Sequence, residues 1–330
     1  MSPSVVQAAR YHRIGNPAEV VQLDRVPLAE PAAGEVRVQM LSAPINPADL
    51  NLIEGKYGEA RPLPDVPGNE GCGRVVAVGP GVDRSWIGRL VLVADQAWRE
   101  SGNWPVAGLV AVPDGLSADR AAVLRVNPPT AWLLLQEFAT LRPGDWVLQN
   151  APTSAVGRAV IEIARHRGWK TLNVVRRAAL AEELRALGAD AVVVDDEDMV
   201  SAAKEVLGGA VPRLALNAVG GISATRLAGL LGPGGTLVTY GAMSKEALKI
   251  PNGFLIFRDL VFRGFWLTRW LRAASPADRD ALFGDVFRLA AAGCFAPRVA
   301  AEFPLQRAAE AVAMAAAGAG TGKVLLRIGV

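Results

Sequence analysis

The chain has 330 residues, of which 51% are hydrophobic and 20% charged. This composition excludes a disordered protein, and the length indicates two domains rather than one. A net charge of +3 without a dense basic block argues against nucleic-acid binding, and the absence of an uninterrupted apolar run of about eighteen residues argues against a membrane span. The two cysteines, Cys72 and Cys294, lie far apart and favour a reducing compartment. The first residues also lack a targeting pattern, so we expect a cytoplasmic protein.

The first 120 residues or so contain short apolar runs separated by proline and glycine, a pattern typical of the strands of a folded-over β-barrel. The predicted strands are residues 5–10, 20–23, 35–41, 73–78, 89–93 and 109–112. A glycine- and proline-rich insertion, residues 44–71, separates the third strand from the fourth. Loops held by a rigid scaffold often carry functional residues, which makes this insertion a candidate location for chemistry.

From about residue 121 the pattern alternates between helix and strand, which predicts a parallel, doubly wound sheet. Helices are expected at residues 131–138, 179–187, 199–207 and 223–231, and strands at 191–194, 214–217 and 236–240. The last part has an apolar run at 260–268, helices near 278–292 and 306–316, and a strand at 323–328. We interpret this part as the end of the second domain and a return to the first.

Residues 144–177 form the most informative segment, because they predict one βαβ unit. Two apolar runs, 146–149 and 172–175, flank a small-residue turn, Thr153-Ser154-Ala155-Val156-Gly157, and a helix. The free N–H groups at the start of such a helix favour a pyrophosphate, and Ser154 suits the N-cap. Only Gly157 matches the glycine fingerprint of dinucleotide-binding folds, so an ordinary strand-to-helix turn remains an alternative.

The second strand of this unit ends in Arg176 and Arg177. A base at this position suits the 2′-phosphate of NADPH, whereas an acid would suit the ribose hydroxyl of NADH. The alternative is a solvated pair of charges. Two further turns, residues 217–221 and 240–243, follow predicted strands and therefore lie at the carboxyl edge where open α/β sheets bind ligands, unless they are only turns.

Together these residues resemble the zinc-independent medium-chain dehydrogenase/reductases, and within them the 2-enoyl thioester reductases of the mitochondrial trans-2-enoyl-CoA reductase type. The resemblance covers nearly the whole chain. It depends most on residues 45–49, 55–58, 68–71, 126–128, 149–151, 154–157, 173–176, 216–221, 239–241 and 263–267. Quinone reductases of the same superfamily share the Asn-Pro-x-Asp and Val-Gly turns but do not typically share the Gly-Phe-Trp-Leu run or the placement of Tyr57.

The resemblance implies an α/β fold in two domains. A GroES-like β-barrel catalytic domain would span residues 1–122 and be completed by 268–330, and a Rossmann domain with a doubly wound parallel sheet would span 123–267 and bind NADPH. Zinc-dependent relatives place cysteine near position 46 and histidine near position 69, where this chain has Asn46 and Asn69. Neutral amides are poor zinc ligands, and His12 and His166 have no partner at metal spacing, so no metal is predicted.

The resemblance also implies a mechanism. Hydride from NADPH would reach the β-carbon of a trans-2-enoyl thioester, and the resulting enolate would be protonated at its α-carbon. Tyr57 matches the family's proton donor, and a phenol with a pKa of about 10 can supply a proton while uncharged. The alternative for Tyr57 is an aromatic side chain that packs the substrate channel. Trp266 matches a tryptophan lining the nicotinamide and acyl pocket, although a packing role is the alternative.

The positions that the family uses for cofactor contacts match a larger set. These are Asn127, Thr153, Ser154, Ala155, Val156, Gly157, Arg176, Arg177, Asn217, Tyr240, Gly241, Ala242, Met243, Phe265, Trp266, Leu267 and Lys323. The family often has a second arginine two residues after the position of Arg176, where this chain has Ala178. This departure predicts weaker selectivity for NADPH.

The substrate is expected to be a small-molecule enoyl thioester in fatty acid metabolism, carried by CoA or by an acyl carrier protein. Arg258, Arg263, Arg269 and Arg272 are candidates for phosphate or carrier contacts, against the alternative of a solvated basic face. Relatives commonly form homodimers through an edge of the nucleotide domain, and we expect the same here. Two other functions stay open, an NADPH-dependent quinone or enone reductase and an NADPH-binding regulatory protein without turnover.

Overall fold

The computed structural model describes residues 4–318 and 322–329. Its strands are β1 (Ser4–Tyr11), β2 (Val21–Leu28), β3 (Glu35–Pro44), β4 (Gly71–Val78), β5 (Leu90–Val93), β6 (Ser101–Pro105), β7 (Val110–Ala111), β8 (Trp146–Asn150), β9 (Lys170–Val175), β10 (Ala191–Val194), β11 (Leu214–Asn217), β12 (Thr236–Thr239), β13 (Val261–Gly264), β14 (Val299–Pro304) and β15 (Lys323–Arg327). Its helices are α1 (Pro17–Val20), α2 (Pro47–Ile53), α3 (Ala118–Ala121), α4 (Asn127–Gln136), α5 (Ala155–Arg167), α6 (Ala181–Leu187), α7 (Met199–Leu207), α8 (Gly221–Gly229), α9 (Asn252–Ile256), α10 (Leu267–Ala273), α11 (Pro276–Ala291) and α12 (Ala308–Ala316).

The chain divides into two compact units, Met1–Val126 with Ala296–Val330, and Asn127–Phe295. The first unit contains a hairpin of β1 and β2 and a sheet in the order β14-β15-β3-β4-β5-β7, with β6 also paired to β3. Alternate residues of β3, including Val36, Val38 and Met40, are fully buried and pack with Trp98 in one apolar core. The barrel predicted from the punctuated apolar runs is therefore confirmed.

Helix α2 occupies part of the segment that the sequence predicted as an irregular insertion. Its start has a physical cause, because Pro47 stands at the first helical position and the Asp49 carboxylate accepts a hydrogen bond of 2.7 Å from the Asn46 N–H. Proline at this position and an acid that reaches back to the N-cap both favour a helix start. The Asn-Pro-x-Asp motif thus encodes a helix within the predicted loop.

The second unit contains a parallel sheet in the order β10-β9-β8-β11-β12-β13. Its inner strands are largely buried, and Leu148, Leu172, Ala215 and Leu237 are fully inaccessible to solvent. This order reverses direction between β8 and β11, and open α/β sheets bind ligands at such a switch point. The predicted Rossmann fold is confirmed. Among the described helices, none is both long and apolar enough to cross a membrane.

The second unit extends further along the chain than residue 267, where the sequence analysis placed the end of the nucleotide domain. Helix α11 packs against α4, and the Glu162 carboxylate on α5 accepts a 3.1 Å hydrogen bond from the Phe295 N–H. Helices α10 and α11 both belong to the second unit, and the chain rejoins the first unit at Ala296.

Candidate active site

The turn between β8 and α5 has the form that the sequence predicted. The Ser154 hydroxyl accepts a 3.1 Å hydrogen bond from the Gly157 N–H and caps the helix, as expected. A Cβ on Gly157 would lie 2.6 Å from the Ala151 carbonyl oxygen and 2.6 Å from the Pro152 Cα. The helix therefore starts so close to the turn that only glycine fits, which leaves its first N–H groups at the carboxyl edge, where they suit a pyrophosphate.

A belt of buried amides joins the strand ends around this turn. The Asn150 side chain donates to Asn217 Oδ1 at 2.8 Å and to Ser223 Oγ at 3.1 Å, and its oxygen accepts from the Ala218 N–H at 2.7 Å. Asn217 in turn donates to Thr239 Oγ1 at 3.0 Å. The ends of β8, β11 and β12 are thus fixed to one another by side chains rather than by backbone pairing alone.

Gln149 extends the belt to the other side of β8. Its side-chain N–H groups donate to the Gly157 carbonyl oxygen at 3.0 Å and to Asn173 Oδ1 at 2.7 Å. Asn217 was predicted from the sequence as a cofactor contact, whereas Asn150, Gln149 and Asn173 had no predicted role. The available signal was a polar side chain inside an otherwise apolar, buried strand.

Arg176 and Arg177 lie just beyond the end of β9, and both are exposed. Neither guanidinium makes a hydrogen bond or ion pair with a described residue, whereas two other arginines of the unit are committed, Arg158 to Glu183 at 2.6 Å and Arg226 to Asp195 at 2.9 Å. Two guanidiniums without a described partner at the carboxyl edge of a doubly wound sheet form a suitable site for a phosphate.

The loop after β12 folds onto the loop after β11. The Tyr240 N–H donates to the Asn217 carbonyl at 3.0 Å, and the Met243 N–H donates to the Ala218 carbonyl at 2.9 Å. Burial raises the pKa of the Tyr240 phenol, an effect partly offset by the Ser154 side chain. Gly241 and Ala242 continue the same loop.

The residues after β13 complete this edge. The Phe265 N–H donates to the Thr239 carbonyl at 3.0 Å, and the Phe265 ring meets Phe138 edge-to-face at 5.9 Å. Trp266 precedes α10, and the Arg272 guanidinium lies 6.0 Å from its ring centre. Of the predicted cofactor residues in this unit, Asn127 begins α4, Thr153 and Ser154 lie in the turn, Ala155 and Val156 begin α5, and Leu267 begins α10.

Tyr57 lies in the first unit, in the segment that follows α2. It is half-buried and lines a cavity of about 80 Å³ with Tyr11, Leu52 and Arg61. The structure thus places the predicted proton donor at a concave surface rather than on the outside of the barrel.

Lys323, the predicted cofactor residue of the first unit, belongs to a buried charged cluster that the sequence analysis missed. Its ammonium donates to Asn46 Oδ1. The Asn46 amide N–H donates to the Glu70 carboxylate at 2.9 Å, and the other oxygen of Glu70 accepts from the N–H groups of Arg125 and Val126 at 3.1 and 2.9 Å. Residues from β15, the start of α2 and the start of β4 are thereby joined.

Asp49 is the second acid of this cluster, and like Glu70 it has no exposed surface. Its two oxygens accept from the N–H groups of Asn46 and Asn69 at 2.7 and 2.8 Å. Burial raises the pKa of Asp49 to about 7 and also raises that of Glu70, whereas burial lowers the pKa of Lys323. One ammonium therefore sits among two acids whose ionisation burial opposes.

The same cluster occupies the two positions where zinc-dependent relatives carry ligands. Asn46 and Asn69 present amides there, and Asn46 is already bonded to both Lys323 and Glu70. Within residues 4–318 and 322–329, no group of three His, Cys, Asp or Glu side chains has a geometry that could hold a metal ion. His12 instead contacts Asp24 at 2.7 Å, and His166 lies in the last turn of α5.

The GroES-like barrel and the doubly wound nucleotide-binding sheet define the class of the medium-chain dehydrogenase/reductases. Two family models match this chain, one mainly in each of its two units. The alcohol dehydrogenase GroES-like domain matches residues 32–123, and the model described as zinc-binding dehydrogenase matches residues 155–280, within the second unit.

The curated relatives narrow the class. The mitochondrial enoyl-[acyl-carrier-protein] reductase of Bos taurus is 44% identical over 315 residues, which cover 92% of this chain and 84% of the relative. The chain belongs to the family of these enoyl reductases, a zinc-independent branch of the medium-chain dehydrogenase/reductases.

Solved structures agree with this assignment. The complex of Etr1p with NADP and crotonyl-CoA superposes with a TM-score of 0.88 at 26% identity, covering 98% of this chain and all of that one. Etr1p is named as a mitochondrial 2-enoyl thioester reductase of Candida tropicalis that forms a heterodimer with Etr2p. A protein provisionally described as an NADPH:quinone reductase, from Bacillus thuringiensis, has a TM-score of 0.91 at 29% identity and covers 98% of this chain and 99% of its own.

The comparisons correct one expectation. The sequence analysis predicted a cytoplasmic protein, and this prediction is wrong, because the enoyl reductases of mouse, cattle and human to which the chain is similar are all named as mitochondrial.

Proposed function

We propose that this chain reduces the C2=C3 double bond of trans-2-enoyl thioesters with NADPH and so forms saturated acyl thioesters in fatty acid metabolism. The observation that carries the proposal is the edge of the second unit, where the Gly157 turn and two unpaired guanidiniums, Arg176 and Arg177, stand at neighbouring strand ends. The chain's relatives are named as enoyl reductases, and this edge suits the cofactor of that reaction.

When bound, NADPH supplies the hydride. The N–H groups at the start of α5 would hold its pyrophosphate, and Arg176 and Arg177 would pair with its 2′-phosphate. Further contacts with the cofactor are proposed from a larger set of residues. They are Asn127, Thr153, Ser154, Ala155, Val156, Asn217, Tyr240, Gly241, Ala242, Met243, Phe265, Trp266, Leu267 and Lys323.

The second half of the reaction needs a proton at the α-carbon, and we assign its donation to Tyr57. A neutral phenol can hydrogen-bond the thioester oxygen and then release its proton. Trp266 would form an apolar wall of the site. Lys323, whose ammonium donates to Asn46 Oδ1, is also proposed to contact the cofactor.

The test compares Tyr57→Phe with the unaltered protein in the oxidation of NADPH by crotonyl-CoA. Loss of the donor should lower kcat by a factor of about 10² or more and leave the dissociation constant of NADPH unchanged, because general acid catalysis contributes this much. The comparison variant is Tyr240→Phe, which removes a phenol at the proposed cofactor edge and should therefore act on the dissociation constant of NADPH rather than on kcat. If kcat is unchanged in Tyr57→Phe, Tyr57 is not the proton donor.

A second candidate function, reduction of quinones or enones, is favoured by the similarity to the Bacillus thuringiensis protein. This activity would be identified if the protein reduces a soluble quinone but not crotonyl-CoA, and if Tyr57→Phe reduces the quinone as fast as the unaltered protein does. Binding of NADPH without turnover of either substrate would instead identify a regulatory protein.

The thioester carrier is proposed to be either CoA or an acyl carrier protein. Arg269 is exposed and available for such a contact, whereas Arg258 donates to the carbonyls of Gly229 and Leu231 and stacks on Phe254. Comparing kcat/KM for the crotonyl group on each carrier, with and without Arg269→Ala, distinguishes the two. If Arg269→Ala lowers kcat/KM only for the substrate on the protein carrier, Arg269 contacts the acyl carrier protein.

We also propose a homodimer through the edge of the second unit that ends in β13. This strand is the last of the sheet order, and Leu255, Ile256 and Phe257 before it are 48%, 69% and 84% exposed. Edge strands and exposed apolar groups of this size both favour pairing with a second copy. Sedimentation should give a dimer for the unaltered protein and a monomer for Phe257→Glu, and a monomer in both would reject the proposal.

A further inference from the structure

The segment that carries Tyr57 has no regular structure of its own between α2 and Asp65. It is held through Arg61, four residues beyond Tyr57. Arg61 Nη2 lies 2.5 Å from Asp95 Oδ1 and 3.5 Å from Asn69 Oδ1, and Nη1 lies 3.6 Å from Asp65 Oδ2. One guanidinium therefore joins the segment to three acceptors, two of them carboxylates.

Asp65 is a rigid anchor for this guanidinium. It is 6% exposed, and it exchanges backbone hydrogen bonds with Tyr11 of β1 at 3.0 and 3.1 Å. The Tyr11 hydroxyl also donates to Asp65 Oδ2 at 3.4 Å. Since Tyr11 is itself buried in the barrel core, the acid that Arg61 contacts cannot move without the barrel.

Arg61 and Tyr57 line the same small cavity. An exposed ion pair contributes little to structure, but the Arg61 side chain is only 24% exposed and has several partners at fixed positions. Because the segment has no regular structure, these contacts contribute to the position of this part of the cavity wall. A planar guanidinium suits this task better than an ammonium, because its fork reaches two carboxylates at once.

We infer that Arg61 is a positioning residue, which holds residues 54–63 against Asp65 and Asp95 so that the Tyr57 phenol stands where it can release its proton to the substrate. This inference rests on the proposed role of Tyr57. Arg61 itself touches neither substrate nor cofactor in this role and acts only through the segment.

The experiment measures kcat and KM with NADPH and crotonyl-CoA for Arg61→Ala, Arg61→Lys, Tyr57→Phe and the double variant Arg61→Ala/Tyr57→Phe. A displaced donor should lower kcat in Arg61→Ala by about ten- to a hundredfold, with the KM for NADPH within about twofold of the original value. Arg61→Lys should recover part of the rate. The double variant should be no slower than Tyr57→Phe, since a residue that acts through Tyr57 has no effect once the phenol is gone.

The solvent isotope effect on kcat is a second measurement, and a loss of stability alone would not change it. Because a misplaced donor makes proton transfer slower, Arg61→Ala should show a larger solvent isotope effect on kcat than the unaltered protein. The matched control is Arg307→Ala, which removes an exposed arginine paired with Glu310 in the same unit and should leave kcat unchanged. Should Arg61→Ala fail to fold, Asp95→Asn weakens the same contact from its exposed partner and should lower kcat in the same way.

The inference is overturned if Arg61→Ala keeps the original kcat. It is also overturned if Arg61→Ala does not fold and a folded Asp95→Asn variant keeps the original kcat. A double variant in which the two losses multiply would overturn it as well. Tyr57→Phe with the original kcat overturns the proposed donor instead, whatever Arg61→Ala does. The failure of the positioning role and the failure of the proposed function are therefore seen in different variants.

Discussion

The side-chain amide of Asn150 donates to the side-chain oxygen of Asn217 at 2.8 Å, across the point where the strand order of the second unit reverses. Both residues are buried, at 1% and 0% exposure. Asn150 ends β8 and Asn217 ends β11, so this bond fixes the separation of the two strand ends between which the cofactor is proposed to bind. Preorganisation of the site thus depends on a pair of neutral amides.

Asn150→Ala should destabilise the second unit and weaken NADPH binding. The substitution leaves the Ala218 N–H and one lone pair of Asn217 without their buried partner, which costs about 1–3 kcal/mol in the free energy of unfolding. Urea denaturation and fluorescence titration with NADPH measure the two effects. Gln306→Ala is the matched control, because it removes an exposed amide bonded to Gln7 and should change stability by less than about 0.5 kcal/mol. Equal stability of the two variants would contradict the role of the belt.

Gly157→Ala should weaken NADPH binding by about tenfold or more, because the new Cβ would push α5 away from the Ala151 carbonyl and the pyrophosphate turn. Titration of each purified variant with NADPH measures this. Gly284→Ala provides the opposite case, since a Cβ there meets nothing within 4 Å and the residue lies inside α11. That control should gain up to about 1 kcal/mol of stability and bind NADPH normally. Normal binding by Gly157→Ala would show that the turn does not carry the cofactor.

Arg176→Ala and Arg177→Ala should each reduce the preference for NADPH over NADH, because each removes a charge-assisted contact with the 2′-phosphate. A loss of about 1.4 kcal/mol corresponds to a tenfold lower ratio of kcat/KM for the two cofactors. Arg288→Ala, in the same unit but paired with Asp285, should leave the ratio unchanged. If the ratio is the same in all three variants, the cofactor phosphate is bound elsewhere.

The buried acid Asp49 should make the protein less stable as the pH rises from about 4 to 7. Its pKa is about 7 in the folded protein against an ordinary value of 3.8, so in this window the folded state keeps a proton that the unfolded chain releases. The free energy of unfolding therefore falls by up to roughly 1.4 kcal/mol per pH unit for this group. Glu70, whose pKa is raised as well, adds to the slope.

Urea denaturation at several pH values between 4 and 8 measures this slope. Asp49→Asn, which cannot ionise, should give a smaller slope, whereas Asp114→Asn at an exposed position should retain the original one. Slopes that coincide in Asp49→Asn and the unaltered protein would mean that Asp49 stays ionised throughout the window.

The features that follow from local pattern could be predicted from the sequence. Ser154 at the N-cap of α5 and Arg176 beyond β9 are fixed by their distance from an amphipathic helix and a strand end. Asp49, Glu70 and Asn150 could not be recognised in this way, because their partners are distant in sequence. Asn46 is 24 residues from Glu70 and 277 from Lys323, and no periodicity links such positions. Helix α2 was missed because prolines and glycines around it resemble a loop, although Asn46 and Pro47 mark its start.

The first unit is built from both ends of the chain, and β15 lies between β14 and β3 in its sheet. During synthesis on a ribosome, all of the residues of the nucleotide-binding unit leave the exit tunnel before β15 does, so that unit can fold while the barrel still has an open gap beside β3. Lys323, the cation between Glu70 and Asp49, arrives with that last strand. Until it does, Glu70 and Asp49 lack the neighbouring cation, and the nascent barrel has an unpaired edge at residues 42–44 of β3.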